Sequence, residues 1–252
     1  MNIAVCVKQI PDPATPYELD SESHWVVRPN DQVLDDTDRI GVEVGLQLAE
    51  ATEGTVTLFS MSPSGSLQGI RQALAMGADK AVLIDDETLK GSDALTTARV
   101  LSAAVEREGF DLVIAGTEST DGYTGVVPQM MSELLDIPCL SFARNVDAGD
   151  GNVTIERQTA TGYETVTTPL PAVLAVTAGA EEPRYPTFKG IMAAKSKPVD
   201  TTTAAELGVE PMSGQAIISV DPVASRAAGD IVEDEGEAYL KIIELLEQVK
   251  VI

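Results

Sequence analysis

Short apolar runs alternate with amphipathic segments over the first 139 residues of the chain. The runs are almost continuously hydrophobic, as strands buried on both faces of a parallel sheet are. They cover residues 3–7, 56–61, 81–84 and 112–115. Each is short and bounded by polar or glycine residues, so we predict four parallel strands.

Apolar residues spaced three or four apart occupy the segments between and after these runs, which predicts amphipathic helices. The four stripes are Ile40, Val44 and Leu48; Leu67, Ile70 and Leu74; Leu95, Ala98, Leu101 and Val105; and Val126, Val127, Met130, Met131 and Leu134. Ser66 is a candidate cap for the second helix and Gly77 its candidate end. Alternating strands and helices predict an α/β fold with a Rossmann-like, doubly wound, mostly parallel sheet.

The second half of the chain has a different pattern. Residues 153–157 and 163–168 alternate apolar and polar positions around a turn, which predicts a hairpin over 153–168. Residues 174–176 form a further buried strand, closing an α/β domain over residues 1–180. A polar arm over 181–198 and an extension over 199–252 follow, with a last helix predicted over 235–249. Because neither has a core of its own, we expect both to pack on another subunit.

The net charge of −23 excludes nucleic acid and anionic membranes as partners, because either would be repelled by most of the surface. Cys6 and Cys139 lie in apolar runs and read as small buried residues of a reducing compartment. No run reaches the roughly 20 apolar residues that span a bilayer. We therefore expect a cytoplasmic location without membrane insertion.

No catalytic constellation is visible in the sequence. His24 has no second histidine or cysteine beside it, so no metal site is expected. A nucleophile elbow, a Walker A loop and a dinucleotide fingerprint are all missing after the predicted strands. The expectation is a protein that is not an enzyme.

The loop over residues 116–125 is the strongest candidate for a ligand site. It follows the strand at 112–115 and precedes a helix, the position at which open α/β sheets bind ligands. Its glycines permit close backbone approach, its hydroxyls are donors, and the helix start favours an anion such as phosphate. Asp121 suits a ribose hydroxyl or a ring amine. A plain polar turn with a helix cap is the alternative.

The chain resembles the beta subunit of electron transfer flavoprotein in several segments. They are V-C-V-K-Q-I-P-D at 5–12, I-R-Q-A-L-A-M-G-A-D at 70–79, the loop from 116 to 128, and E-P-R-Y-P-T-F-K-G-I-M-A-A-K at 182–195. The resemblance extends to about residue 208.

The resemblance implies an electron carrier of the adenine nucleotide alpha hydrolase-like fold. It would pair with an alpha subunit that holds most of the FAD, take electrons from acyl-CoA dehydrogenase-type flavoenzymes in fatty acid oxidation, and pass them to a quinone oxidoreductase or another acceptor. The beta subunit would bind AMP structurally. The positions that would meet AMP are Cys6, Val7, Asp35, Met61, Ser119, Asp121, Gly122, Thr124, Gly125, Val126 and Val127.

Two alternatives accompany this interpretation. Flavin-bifurcating members of the family bind a second FAD in place of AMP and resemble D-G-D-T-x-Q-V-G-P, whereas residues 121–128 here read D-G-Y-T-G-V-V-P. The lost glutamine favours AMP. An adenine-nucleotide-binding stress-type protein is the other alternative, but its glycine-rich loops are not found in this sequence.

The segment over 184–197 resembles the loop that such proteins offer to dehydrogenases. The resemblance assigns docking to Arg184, Phe188, Lys189, Ile191 and Met192, with Phe188 where the family usually has leucine. Phe188 packing inside the protein's own heterodimer is the alternative.

Overall fold

The computed structural model describes residues 1–63, 65–212, 214–221, 223–224, 229, 231–234 and 236–252. Residues 1–217 form one compact unit and residues 218–252 a second. The strands are β1 (Asn2–Cys6), β2 (Gln9–Pro11), β3 (Gln32–Leu34), β4 (Thr55–Met61), β5 (Lys80–Ile84), β6 (Leu112–Gly116), β7 (Cys139–Gly149), β8 (Asn152–Thr159), β9 (Gly162–Pro169), β10 (Ala172–Val176) and β11 (Val199–Thr202). The α-helices of the first unit are α1 (Asp36–Thr52), α2 (Gln68–Met76), α3 (Ala94–Glu108), α4 (Val127–Leu135) and α5 (Phe188–Ala194).

Within the residues described, nine strands form one sheet in the order β11-β5-β4-β1-β6-β10-β7-β8-β9. Neighbours from β11 to β7 are parallel, and β8 and β9 extend the β7 edge as antiparallel strands. β2 and β3 pair separately. The predicted α/β fold with a mostly parallel sheet is confirmed.

The core lies on both faces of this sheet. Alternate residues of β1 point to opposite faces, so Ile3 and Val5 pack in one apolar cluster with α1 and α2. Ala4 and Cys6 pack in a second cluster with α3 and α4. Strands covered on both faces can be apolar at every position, which is why the continuous runs in the sequence located them.

After β1, the next strands of the large sheet, β4 and β5, lie on one side of β1, and the chain then crosses to the other side to form β6. β1 pairs with β4 on one side and with β6 on the other. Connections that diverge in this way open a crevice outside the carboxyl ends of the two strands. The crevice at β1 and β6 is where the fold offers a ligand site.

The predicted hairpin is confirmed as β8 and β9, and the predicted strand at 174–176 lies within β10. The prediction of Ser66 as a cap is wrong, because α2 begins at Gln68 after Leu67 with no side-chain cap of its own. Gln9 supplies the contact from β2: its Oε1 accepts from Gly69 N at 2.8 Å, and its Nε2 donates to the Ser66 carbonyl at 2.6 Å.

The second unit contains the helix α6 (Ala238–Gln248). The predicted start at residue 235 lies outside the described residues. No residue of α6 is buried, and Leu240, Ile242 and Ile243 are 41–59% exposed. Among the described residues, none of the helices has the length and apolar character needed to cross a membrane.

Candidate functional site

The candidate site gathers three segments at the carboxyl edge of the sheet. The loop after β6 faces the residues that follow β1 and the start of α1. Asp35, at the start of α1, joins two of these segments. Its Oδ1 accepts from Thr37 N at 3.0 Å and Thr37 Oγ1 at 2.5 Å, and its Oδ2 accepts from Thr120 N at 2.7 Å and Thr120 Oγ1 at 3.0 Å. The buried carboxylate therefore fixes the loop to the helix.

Asp121 lies between two cations. Its side chain has no exposed surface; Lys8 Nζ donates to Oδ1 at 2.6 Å and Arg28 pairs with Oδ2. Burial acts to raise the pKa of Asp121, but Lys8 and Arg28 outweigh it and hold the pKa below its ordinary value. Both carboxylate oxygens are thus engaged within the chain.

Lys8 and Arg28 were missed by the sequence analysis. They are 113 and 93 residues from Asp121 along the chain. Lys8 directly follows the apolar run of β1 in the sequence, and its place at the end of a central strand was an available signal. No comparable signal marks Arg28, which lies in the long connection between β2 and β3.

Gly122 leaves space among several donors. A Cβ on Gly122 would lie 3.0 Å from Ser119 Oγ, 3.7 Å from Lys8 Nζ and 3.8 Å from Thr124 Oγ1. An ammonium and two hydroxyls therefore converge on a position that only glycine leaves open. Gly125, at φ +65°, has the left-handed backbone that glycine adopts without strain. This donor set suits a phosphate.

The start of α4 adds backbone donors. No side chain in the described part of the chain caps the helix at Val126, and Pro128 in the first turn has no N–H to satisfy. The amides of a first turn have no partner inside a helix, and with the helix dipole they favour an anion. Thr124 lies three residues before α4, and its hydroxyl and that of Ser119 both lie within 4 Å of the Cβ position at Gly122.

The remaining predicted contacts lie at strand ends on the same edge. Cys6 ends β1 and Val7 follows it, and Met61 ends β4, next to β1. The thiol of Cys6 faces α4, with Sγ 4.0 Å from Met131 Sδ. Burial, with a smaller contribution from Asp38, raises the pKa of Cys6 to about 12, so the thiol is protonated. The Cys6 side chain thus packs in the core against α4.

Asp38, in the first turn of α1, holds the backbone at Lys8. It is buried, and its Oδ2 accepts from the Lys8 amide at 2.5 Å. Burial and the nearby carboxylate of Asp35 hold the pKa of Asp38 well above its ordinary value. The Asp38 carboxyl therefore fixes the backbone that carries Lys8.

A second surface of interest is the docking arm, which we define as residues 184–197 and which contains α5. Its large apolar side chains face solvent: Tyr185 is 91%, Phe188 80%, Met192 52% and Ile191 48% exposed. Lys189 is exposed as well. The arm thus displays four of the five residues assigned to docking. Arg184, the fifth, turns back toward its own chain.

Among the described residues, no group of three or more histidine, cysteine, aspartate or glutamate side chains is arranged to hold a metal ion. The sheet with helices on both faces, and a polar loop at its switch point, define an α/β protein of the Rossmann-like class. A family model described as the electron transfer flavoprotein domain matches residues 24–207.

Curated relatives match over most or all of the chain. Electron transfer flavoprotein subunit beta of Mycobacterium tuberculosis (strain H37Rv) is 40% identical over 264 residues, covering 100% of this chain and 99% of that protein. The protein of the same name from Thermoanaerobacterium thermosaccharolyticum is 32% identical over 100% of both chains. The caffeyl-CoA reductase-Etf complex subunit CarD of Acetobacterium woodii is 30% identical over 84% of this chain and 81% of that protein. The chain belongs to the electron transfer flavoprotein beta-subunit family, as its motifs indicated.

Proposed function

We propose that this chain is the beta subunit of a heterodimeric electron carrier, with AMP held in the loop between β6 and α4. An alpha subunit would hold most of the FAD, and electrons would come from acyl-CoA dehydrogenase-type flavoenzymes and leave to a quinone oxidoreductase or a similar acceptor. When bound, FAD would accept and release the electrons. Family membership together with the donor set around Gly122 carries the proposal.

The residues of this chain would bind and orient the nucleotide. The ammonium of Lys8, the hydroxyls of Ser119 and Thr124 and the first amides of α4 would receive the phosphate. Asp121 would hold Lys8 and Arg28 in place, and Asp35 would fix the loop through Thr120. No group in this arrangement is an evident nucleophile with a base beside it, which agrees with a structural nucleotide.

The exposed helix α6 supports the expectation of an alpha subunit. Its apolar residues occur on several sides, including Tyr239, Leu240, Ile242 and Leu245, and all are exposed within this chain. A short helix with so much apolar surface is typical of a segment covered by another chain. Copurification of a tagged alpha subunit with this chain would test that assembly.

The nucleotide content of the heterodimer tests the cofactor proposal. We expect one FAD and one AMP per heterodimer, measured by absorbance and chromatography after denaturation. Gly122→Ala should lose most of the AMP, because its Cβ would lie 3.0 Å from Ser119 Oγ inside the donor cluster. Gly149→Ala is the matched control, since its Cβ would meet nothing within 4 Å. Two FAD per heterodimer would establish the bifurcating alternative, and a colourless heterodimer would overturn the carrier function.

Phe188 tests the docking function. Phe188→Ala should raise the apparent KM for the heterodimer as electron acceptor of a reduced acyl-CoA dehydrogenase by about tenfold, a typical loss for an anchor side chain. Phe188→Leu keeps an apolar anchor and should stay close to the unsubstituted protein. Flavin content should not change in either variant. Equal kinetics for Phe188→Ala and the unsubstituted protein would contradict docking and favour packing of Phe188 inside the heterodimer.

A further inference from the structure

The docking arm is joined to α1 by an arginine at its first residue. Arg184 Nε donates to Glu43 Oε2 at 2.8 Å and Nη2 to Glu43 Oε1 at 3.0 Å, while the Arg184 amide donates to Glu43 Oε2 at 3.1 Å. Nη1 donates to Glu50 Oε1 at 2.5 Å. Glu43 and Glu50 lie two turns apart on α1, so one guanidinium spans both. The guanidinium presents several N–H donors in a planar fork, which suits simultaneous contact with two carboxylates.

The carboxylate of Glu43 is largely removed from solvent. Its side chain is 5% exposed, against 62% for Glu50. Burial acts to raise the pKa of Glu43, but hydrogen bonds from Arg184 and Gln47 outweigh it and lower the pKa. A bidentate pair with a buried carboxylate is held more firmly than an exposed ion pair, because water competes less for it.

The other end of the arm is fixed to α2. Arg71 Nη1 donates to the carbonyls of Ala194 at 2.6 Å and Lys197 at 3.0 Å. Lys197 Nζ donates to three carbonyls at the end of α2, with distances of 3.0, 3.0 and 2.6 Å to Leu74, Gly77 and Ala78. A cation at a helix carboxyl end is favoured by the helix dipole.

The middle of the arm approaches α2 closely. A Cβ on Gly190 would lie 2.4 Å from the Ala75 carbonyl oxygen, a distance at which the backbones would have to separate. The arm is thus held at its first residue, in its middle and at its last residue. Between these contacts, Phe188, Ile191 and Met192 face outward.

We propose that Arg184 is a positioning residue for docking, not a contact residue: its pairs with Glu43 and Glu50 hold the arm in the conformation that presents Phe188. This inference rests on the docking function proposed above. An arm that is fixed before association loses little conformational entropy on binding. The binding free energy gained by one anchor side chain is therefore not cancelled by the cost of ordering the segment.

The charged residues of the arm also fall into those that hold the arm and those that face solvent. Residues 184–197 include Arg184, Lys189, Lys195 and Lys197 and no acidic residue, in a chain of net charge −23. Arg184 and Lys197 contact their own chain, whereas Lys189 and Lys195 are exposed. The cations presented to a partner are therefore Lys189 and Lys195.

The experiment combines kinetics with hydrogen exchange of the heterodimer. Arg184→Gln should raise the apparent KM for the heterodimer, with a reduced acyl-CoA dehydrogenase as donor, by about fivefold while kcat stays within about twofold. Amides of peptides covering residues 185–194 should exchange faster. Arg184→Lys keeps the charge without the fork and should be intermediate, and Glu50→Gln, which removes only the exposed partner, should change little.

Lys189→Gln is the matched control for charge. It should raise the apparent KM without changing the exchange of the arm, because Lys189 lies at the docking face and not in the attachment. If Arg184→Gln leaves both readouts unchanged while Phe188→Ala raises the KM, the positioning role of Arg184 is overturned and docking stands. If Phe188→Ala has no effect, the docking function fails, and the positioning role of Arg184, which rests on it, is overturned with it.

Discussion

The loop over residues 116–125 and the docking arm both begin beyond the carboxyl ends of neighbouring parallel strands, β6 and β10. Both are fixed by pairing arginine or lysine with a carboxylate that has little exposed surface, Asp121 in one and Glu43 in the other. The loop turns its polar groups inward and collects donors around Gly122. The arm uses the same interaction at its base and turns apolar side chains outward. One kind of contact thus supports an interior polar site and an exterior apolar surface.

Removal of the Asp35 side chain should lower the free energy of unfolding more than the substitution of the arm described below. Asp35→Ala removes four hydrogen bonds of a buried carboxylate, so we expect a loss of about 3 kcal/mol in the free energy of unfolding. Urea unfolding measures this. Asp36→Ala is the neighbouring control, because its side chain is 83% exposed and its pair with Arg39 is a surface pair worth about 0.5 kcal/mol. Equal losses in the two variants would contradict the role of Asp35.

Substitution of Gly190 should affect the arm and spare the loop. Gly190→Ala places a Cβ against the Ala75 carbonyl oxygen, and we expect a cost of about 2 kcal/mol as the arm moves away from α2. The apparent KM for the heterodimer should rise, while AMP content should be unchanged. Gly149→Ala serves again as the control for adding a methyl group. Loss of AMP in Gly190→Ala would show that the two regions are not independent.

The dependence of stability on pH should distinguish two carboxyls near the loop, Asp121 and Asp38, because folding shifts their pKa values in opposite directions. The pKa of Asp121 is depressed on folding, so its contribution to stability is present above the unfolded value of about 3.9 and is lost as pH falls through the folded value. The pKa of Asp38 is raised by burial and by Asp35. The folded chain therefore keeps a proton that the unfolded chain loses, and stability falls as pH rises toward the folded value.

Asparagine at each position should remove one of these slopes. Asp121→Asn should destabilise the chain near neutral pH by about 1 kcal/mol, because Lys8 and Arg28 lose their partner, and should flatten the acid limb of the stability curve. Asp38→Asn should flatten the decline above the unfolded pKa and leave the acid limb in place. Urea unfolding across the acid and neutral range measures both. Parallel curves for the two variants would contradict the opposite assignments.

The sequence identified the strands that are covered on both faces, because their apolar runs are continuous and local. It missed β7, which is buried only at intervals, and α5, which is seven residues long and is held by Arg71 from more than a hundred residues away. Ser66 was a reasonable cap by position, but Gln9 makes that contact from β2. Short elements stabilised by distant side chains leave no local pattern.

The candidate loop was located from the position of glycines and hydroxyls between a strand and a helix, which is local information. The two cations beside Asp121 could not be located in this way. Lys8 and Arg28 are distant from Asp121 in sequence, and the fold of the sheet brings them together. Arg184 shows the same limit. Its neighbours in sequence suggested an exposed contact, and the fold turned it toward Glu43 on α1.

Gly190 packs against α2, whereas Phe188, Ile191 and Met192 face solvent. The contact that holds the arm and the surface that the arm exposes are therefore made by different residues. Exchange of Phe188 or Met192 would alter the apolar surface of the arm and leave its spacing from α2 intact. Under the proposed docking function, related chains can diverge in electron donor through a few outward substitutions that leave these contacts intact. A residue larger than glycine at position 190 would instead displace the arm from α2, and with it all of the outward side chains proposed to meet a donor.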